Sequence, residues 1–341
     1  MTKESYLYKK LDQNQVQCQT CRHACALAPN KGGLCGARQN QDGRLMVLNY
    51  GQAIAAHVDP VEKKPLYHFL PGTQTFSFAA AGCNFKCLNC QNWQISQSTK
   101  NLPGNKTSNF GFDLPPTKII QQAQEANCPS ISYTYTEPTI FLEYALDTMK
   151  LAKEAGLKNI WVSNGFMSQE TLKLILPYLD TVNIDLKSFD EKFYQENCNA
   201  RLKPVLENLK SLKKAGVWVE ITTLIIPTLS DSEKMLAKIA KFIKEKLGPE
   251  TPWHLSQFSG AISWQLQNLA PTPKNMLERA CQLGREAGLH YVYAGNIESK
   301  WNNTFCPQCR ILNIERNGYL IKRKDKKGRC YVCNTDLDII E

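Results

Sequence analysis

Three cysteines close the stretch Thr75-Phe-Ser-Phe-Ala-Ala-Ala-Gly-Cys-Asn-Phe-Lys-Cys-Leu-Asn-Cys90, directly after a short apolar run. The apolar run predicts a buried β-strand, and Cys83, Cys87 and Cys90 follow it in a CxxxCxxC pattern. Three thiolates are one fewer than a tetrahedral zinc site or a fully ligated iron–sulfur cluster needs. A [4Fe–4S] cluster held at these three positions keeps one iron available for another ligand.

The whole chain has 341 residues, of which 43% are hydrophobic, so it can form one large domain with attachments or two ordinary domains. No apolar run approaches the roughly 20 residues of a membrane helix. The polar N-terminus lacks the apolar segment of a signal peptide. Because most of the 14 cysteines stand at ligand spacing, they indicate metal binding in a reducing compartment rather than disulfides. We therefore expect a cytoplasmic protein with no membrane partner.

The formal net charge is +10, which can steer anionic partners but does not define a fold. Part of it lies in residues 322–329, which hold six basic residues and one acid. We interpret this run as solvated surface, with an RNA or acidic-partner contact as the alternative. No aromatic residue interrupts the run, so stacking on single-stranded bases is not indicated. A nucleic acid partner is therefore not expected.

Two further cysteine groups flank the first. The C-terminal pairs are separated by twenty residues, a spacing typical of zinc ribbons and rubredoxin-like sites. We expect structural zinc there, with a single iron as the alternative. The N-terminal group, which encloses His23, fits zinc or an auxiliary iron–sulfur cluster, and zinc is favoured. The two groups are Cys306, Cys309, Cys330 and Cys333, and Cys18, Cys21, Cys25 and Cys35.

Short apolar runs alternate with amphipathic segments from residue 74 onward, which predicts a parallel sheet with helical crossovers. A closed eight-unit barrel, a partial barrel and an open doubly wound sheet all fit this alternation. Ser230 and Glu233 predict a capping box for one helix. Changes in composition predict three domains, at residues 1–73, 74–298 and 299–341. The predicted strands are 75–81, 130–135, 159–163, 181–186, 217–226, 253–258 and 290–294, and the helices are 116–127, 139–155, 168–179, 202–215, 230–247 and 273–287.

Polar residues stand at the ends of these strands, where parallel barrels gather their functional groups. The cysteine triplet follows the first strand, Glu137 the second and Asn164 the third. Asp185 and Lys187 end the fourth strand. We expect these residues to meet at one mouth of a barrel, with His254 and Tyr135 as further pocket candidates.

Motifs along nearly the full length resemble the AmmeMemoRadiSam system radical S-adenosylmethionine (SAM) enzymes, a family similar to pyruvate formate-lyase activating enzymes. The resemblance implies a partial (β/α)6-type TIM barrel for residues 74–298, preceded by a cysteine-rich segment and followed by a zinc-ribbon or rubredoxin-like module. The motifs are Cys18-Gln-Thr-Cys-Arg-His-Ala-Cys25, the segments 59–69, 82–93 and 133–138, Asp185-Leu-Lys187, Pro252-Trp-His254 and Ala294-Gly-Asn296.

The resemblance also implies an oxidoreductase activity. Cys83, Cys87 and Cys90 would hold a [4Fe–4S] cluster that cleaves SAM reductively into methionine and a 5′-deoxyadenosyl radical. That radical would abstract hydrogen from a substrate, with a protein residue as one candidate. SAM would be contacted by Glu137, Asn164, Asp185 and Lys187.

The implied partners are a flavodoxin- or ferredoxin-type one-electron reductant and Memo- or AMMECR-type proteins. Two other functions stay open. One is radical modification of a small molecule or RNA, and the other is a non-catalytic zinc scaffold.

Two positions depart from the pattern of radical SAM enzymes. Asn89 precedes the third cysteine, where related proteins carry an aromatic residue near adenine, and Phe85 and Trp93 are the nearby aromatic alternatives. Tyr135 and Thr136 replace the two glycines that usually stand before the glutamate at position 137.

Overall fold

A computed structural model describes residues 2–100 and 111–341. Residues 1 and 101–110, which belong to the first two predicted domains, lie outside the described residues. The chain divides into two compact units that each combine several segments: the first is Met1–Asp59, Gln74–Val182 and Asn197–Ala200, and the second is Pro60–Thr73, Asn183–Glu196 and Arg201–Glu341. The predicted boundaries after residues 73 and 298 stay predictions.

Strands and helices alternate through most of the described residues. The strands are β1 (Lys3–Glu4), β2 (Tyr8–Lys10), β3 (Val16–Cys18), β4 (Ala26–Leu27), β5 (Arg38–Gln41), β6 (Arg44–Val47), β7 (Gln52–Ala53), β8 (Ala55–Pro60), β9 (Gln74–Ala79), β10 (Phe112–Asp113), β11 (Ser130–Tyr133), β12 (Lys158–Ser163), β13 (Thr181–Asp185), β14 (Trp218–Ile225), β15 (Trp253–Gln257), β16 (Val292–Gly295), β17 (Thr304–Phe305), β18 (Leu312–Asn317) and β19 (Leu320–Arg323). The α-helices are α1 (Trp93–Ser96), α2 (Pro116–Glu125), α3 (Leu142–Glu154), α4 (Gln169–Ile175), α5 (Glu191–Cys198), α6 (Leu202–Lys214), α7 (Glu233–Phe242) and α8 (Lys274–Glu286).

The parallel strands β9, β11 and β12 form the centre of the first unit. Ser130 lies opposite Thr75 on one side and Lys158 on the other, so the three strands start in step. Nearly all their residues are buried, as expected for strands covered on both faces. Helices α2 and α3 follow β9 and β11, which agrees with the predicted alternation.

The N-terminal segment adds two small antiparallel sheets to the first unit, with strand orders β1-β6-β5 and β2-β3-β4. A buried ion pair joins β5 to α3. The guanidinium of Arg38 donates to both carboxylate oxygens of Glu143, at 3.0 and 2.6 Å. Ser5 and the backbone N–H of Tyr6 also donate to that carboxylate. The segment is therefore fixed to α3 by a buried ion pair and two further hydrogen bonds.

The second unit contains a similar parallel arrangement of β14, β15 and β16. Trp253 pairs with Ile221 on one side and Val292 on the other. Helix α8 approaches these strands closely at Gly284, where an added Cβ would lie 2.9 Å from a Val292 methyl group. Glycine is therefore required there by packing.

Two details differ from the sequence-based expectation. The predicted capping box is wrong, because Ser232 caps α7 by accepting from the N–H of Met235. The Ser230 hydroxyl instead accepts from the N–H of Ile226 and closes the turn after β14. Helix α5 was not predicted.

Among the residues that the structure describes, no helix has the length and apolar character needed to cross a membrane.

Candidate cofactor and metal sites

The chain turns sharply between β9 and the cysteine triplet. Gly82 has φ +109°, and a Cβ there would lie only 2.6 Å from the carbonyl oxygen of Cys35. Both facts require glycine. The turn therefore brings the N-terminal cysteine segment against the start of the triplet.

The loop that carries the triplet is held by the last two residues of α5. Lys86 and Leu88 donate backbone hydrogen bonds to the carbonyls of Cys198 and Asn197, both at 2.9 Å. Asn89 accepts from the side-chain amide of Asn197 at 2.8 Å. Asn89, the position that departs from the radical SAM pattern, thus has a structural role in fixing the loop.

The three thiols of the triplet are not arranged around a single ion. The sulfurs of Cys83, Cys87 and Cys90 do not all lie within 4.8 Å of one another, a spacing that single-ion ligands in the described residues do meet. Two thiolates on one zinc lie about 3.8 Å apart, because the Zn–S bond is about 2.3 Å long and the geometry is tetrahedral. Thiolates of a cluster bind different irons and stand farther apart. The triplet therefore lacks the close spacing of a single-ion site, which a cluster does not require.

Cys87 is buried, whereas Cys83 and Cys90 are partly exposed. Burial raises the pKa of the Cys83 thiol, and the nearby Lys100 opposes this shift. Lys100 donates to the carbonyl of Phe85 at 2.5 Å, and the Ser96 hydroxyl lies 3.3 Å from Cys90 Sγ. Sequence reasoning missed Lys100 and Ser96, which carry no motif of their own.

Glu137 lies buried between two strand ends. One carboxylate oxygen accepts from the Thr139 N–H and hydroxyl and from the Ser163 hydroxyl at 2.8 Å, and the other accepts from the Asn164 N–H at 2.8 Å. Burial raises its pKa, and these donors oppose the shift. Because four donors already reach its oxygens, Glu137 holds the loops after β11 and β12 together.

The two residues that replace glycines before Glu137 are also engaged. Tyr135 has φ +62° although it is not glycine, and its hydroxyl donates to the Asp59 carboxylate. The Thr136 hydroxyl donates to the Ala80 carbonyl at 2.7 Å. These contacts hold the left-handed conformation that glycine would adopt at less cost.

Asn164 is joined to the cysteine triplet through a neighbouring side chain. Its amide donates to Oδ1 of Asn84 at 2.7 Å, and its own Oδ1 accepts from the N–H of Phe166. The first unit thus brings Asn164, Glu137 and the triplet together. Phe85 packs edge-on against Phe166, whereas Trp93 is 36% exposed and remains the accessible aromatic side chain of this loop.

The second unit holds the other two predicted SAM contacts. The ammonium of Lys187 lies 2.9 Å from the Asp185 carboxylate, and both side chains are partly accessible. The Lys187 N–H also donates to the Tyr194 hydroxyl. These two residues therefore form an ion pair at the end of β13.

A buried polar network in the second unit was not predicted. The carboxylate of Glu220 accepts from the N–H groups of Tyr67 and His68 and lies 2.6 Å from His254 Nε2. Burial opposes ionisation of Glu220, but the contact with His254 lowers its pKa. His254, which the sequence suggested as a pocket residue, therefore interacts with a buried carboxylate inside the second unit.

The four C-terminal cysteines form a compact metal-ligand set. Their sulfurs all lie within 4.8 Å of one another, with three of the distances between 3.4 and 3.6 Å. Each CxxC pair closes a similar turn, in which Arg310 and Asn334 have φ near +60°. This geometry fits one tetrahedral ion, as the zinc-ribbon spacing predicted.

The four N-terminal cysteines, Cys18, Cys21, Cys25 and Cys35, line one cavity of the first unit. Burial raises the pKa of Cys35 to about 11 and also raises those of Cys21 and Cys25. Metal binding would have to deprotonate these thiols.

Comparisons with known proteins agree with this arrangement. The sequence pattern of the Radical SAM superfamily matches residues 79–243. An uncharacterized protein of Methanocaldococcus jannaschii is 42% identical over 342 residues, 99% of either chain. The pyruvate formate-lyase-activating enzyme of Clostridium pasteurianum is 27% identical over 51% of this chain and 71% of that enzyme. A radical SAM methyltransferase from Sphaerobacter thermophilus has a TM-score of 0.50 at 14% identity, covering 67% of this chain and 68% of its own. That likeness concerns the fold alone, and it confirms the predicted α/β core.

Proposed function

We propose that the chain is an enzyme that cleaves SAM reductively, with Cys83, Cys87 and Cys90 as ligands of the [4Fe–4S] cluster, because residues 79–243 match the Radical SAM superfamily. Bound there, the cluster and SAM would supply methionine and a 5′-deoxyadenosyl radical that abstracts hydrogen from the substrate. The observation that carries the proposal is the triplet itself: three thiols on one strand-end loop, in a CxxxCxxC pattern within the segment that matches the Radical SAM superfamily.

The residues around the triplet would prepare it for this cofactor. The positive charge of Lys100 lies close enough to favour the thiolate form of Cys83. Asn89 and Asn197 fix the loop, so the three sulfurs are held in place before the cofactor arrives.

We assign different roles to the predicted SAM contacts. Glu137 and Asn164 act through position, because their hydrogen bonds join the ends of β11 and β12 to the triplet. Asp185 and Lys187 retain accessible charge, which suits the polar groups of SAM. Trp93 is the aromatic side chain available to adenine in place of Asn89.

We infer that the substrate is a residue of a protein partner. The support is the similarity to a pyruvate formate-lyase-activating enzyme over 71% of that enzyme. The electron would come from a flavodoxin- or ferredoxin-type reductant, and Memo- and AMMECR-type proteins are the candidate partners indicated by the family resemblance. The C-terminal cysteine set would hold a structural zinc. At the N-terminal set, the donors alone fit zinc or a second cluster.

The test uses anaerobically reconstituted protein with dithionite and SAM. We expect release of 5′-deoxyadenosine and methionine, measured by mass spectrometry. Cys87→Ser should reduce both to background. Cys128→Ser, in a buried cysteine outside the three groups, should retain them. Protein that holds only zinc after reconstitution would refute the proposal and favour a zinc scaffold.

Deuterium transfer into 5′-deoxyadenosine identifies the substrate. Transfer from a deuterated candidate protein supports a protein substrate. Transfer only from RNA or a small molecule would overturn that part of the proposal.

A further inference from the structure

The cavity lined by the N-terminal cysteines is enclosed by several parts of the first unit. The four thiols come from β3, from the turn after it and from the loop before β5. The remaining wall includes Asn84 from the triplet loop and Thr139 and Ile140 from the turn before α3. Four thiols that surround one internal space are a complete ligand set for a metal centre.

The N-terminal thiols do not have the close spacing of a single-ion site. No three of them have sulfurs all within 4.8 Å of one another, whereas the C-terminal set, in the same described part of the chain, meets that criterion with all four. A zinc ion would hold its thiolates about 3.8 Å apart. Any three of the N-terminal sulfurs therefore include at least one pair more than 4.8 Å apart, and the same holds for the Cys83 triplet.

Two buried donors on the cavity wall have no acceptor. Within the described residues, the Nε–H of Arg38 and the Nδ2 amide of Asn84 lack hydrogen-bond partners, although both residues are only 2% exposed. The two terminal nitrogens of Arg38 are already used by Glu143 and Ser5. Buried donors in proteins are nearly always paired, so their presence points to a missing acceptor in the cavity.

We propose that Cys18, Cys21, Cys25 and Cys35 hold a second [4Fe–4S] cluster, whose sulfur atoms accept from Arg38 Nε and Asn84 Nδ2. Cluster sulfides and thiolates are anionic acceptors, and hydrogen bonds to them tune the reduction potential. The guanidinium also supplies positive charge beside this anionic group. The sequence favoured zinc at this set, and the structure favours the cluster.

The second cluster would adjoin the first, because the Cys35 carbonyl lies against Gly82, next to Cys83. A single electron could then pass from the reduced second cluster, which is oxidised by one electron, to the triplet cluster, which is reduced by one. A ferredoxin-type reductant would replenish the second cluster. This relay rests on the proposed function, whereas the presence of the second cluster does not.

Acid-labile sulfide counts the clusters, because a single zinc or iron at the C-terminal set carries none. Reconstituted protein should hold about 8 sulfides, four for each [4Fe–4S] cluster. Cys21→Ser/Cys25→Ser and Cys83→Ser/Cys87→Ser/Cys90→Ser should each hold about 4 sulfides. Cys128→Ser should match the unaltered chain. A triplet variant that holds no sulfide, with zinc at the N-terminal set, would overturn the proposal.

Electron paramagnetic resonance separates this proposal from the proposed function. In the triplet variant, the reduced signal should be unaffected by SAM, whereas SAM should alter the signal of the N-terminal variant. If the triplet held no cluster, the unaltered chain and the triplet variant would each hold about 4 sulfides, and the N-terminal variant would hold none. That result would refute the proposed function and support the second cluster.

Arg38→Lys tests the hydrogen bond to the cluster. Lysine keeps the charge for Glu143 but lacks the Nε–H, so the second cluster should become harder to reduce. The potential of the triplet cluster should not change, and the sulfide content should stay the same. If the second cluster had the same reduction potential in Arg38→Lys as in the unaltered chain, Arg38 would be removed from the proposal. Sulfide counting tests the presence of the cluster even if this variant is unstable.

Discussion

Glu143→Gln should destabilise the first unit strongly, because it leaves the charge of Arg38 buried without its counter-ion. Both side chains are almost fully enclosed, at 2% and 0% exposed. Burial opposes ionisation of Glu143, but the adjacent Arg38 holds its pKa below the usual value. The carboxylate is therefore charged in the folded protein, and its replacement by an amide removes a full negative charge.

The expected cost follows from the geometry. Two hydrogen bonds of 2.6 and 3.0 Å place the charge centres about 4 Å apart, where the attraction is about 4 kcal/mol at an effective dielectric constant near 20. Removal of one partner from a buried pair costs about 3–5 kcal/mol, which agrees. At about 2–4 °C per kcal/mol for a unit of this size, the Tm should fall by about 6–20 °C.

A matched control lies one turn further along α3. Asp147 pairs with Lys3 at 2.5 Å, but both side chains are partly exposed. Asp147→Asn should therefore cost about 1 kcal/mol or less. The assay is thermal unfolding of the reconstituted proteins under anaerobic conditions. If Glu143→Gln lowered the Tm no more than Asp147→Asn, the argument from burial would be wrong.

Three further predictions concern other parts of the chain. Burial lowers the pKa of His68 to about 4, so the folded state binds its proton less readily than the unfolded state. Stability should fall by up to about 3 kcal/mol as the pH drops from about 6.5 to 4, and a plot of Tm against pH should be flatter for His68→Gln. Cys309→Ser should remove one equivalent of zinc or iron, measured by elemental analysis, without changing acid-labile sulfide; an unchanged metal content would contradict the C-terminal site. Tyr135→Phe removes the hydrogen bond to Asp59 and should cost about 1 kcal/mol in thermal unfolding, whereas an unaltered Tm would show that this bond is dispensable.

The main elements could be predicted from sequence because local periodicity encodes them. The strand predicted at 159–163 is observed at Lys158–Ser163, and the helix predicted at 202–215 at Leu202–Lys214. The C-terminal metal set was likewise predictable, since its ligands come in close pairs. In each case, the residues that define the strand, helix or ligand set lie close together in the sequence.

The long-range contacts could not be predicted in this way. Arg38 and Glu143 are 105 positions apart, and neither belongs to a recognisable motif. The same holds for Glu220, which meets Tyr67 and His254 only after folding. Ser230 and Ser232 show a local limit, because two nearby serines compete for one cap and only the geometry of the turn after β14 decides between them.

The wall around the N-terminal cysteines has a consequence for how the protein is made. A ribosome releases Cys18 to Cys35 more than a hundred residues before Ile140, which is needed to close their cavity. Domains fold as their chain emerges, so this cavity can close only after residue 140 has been synthesised. The four thiols therefore pass through translation accessible to metal carriers and oxidants. The timing of cofactor delivery, rather than affinity alone, would then govern which metal is enclosed.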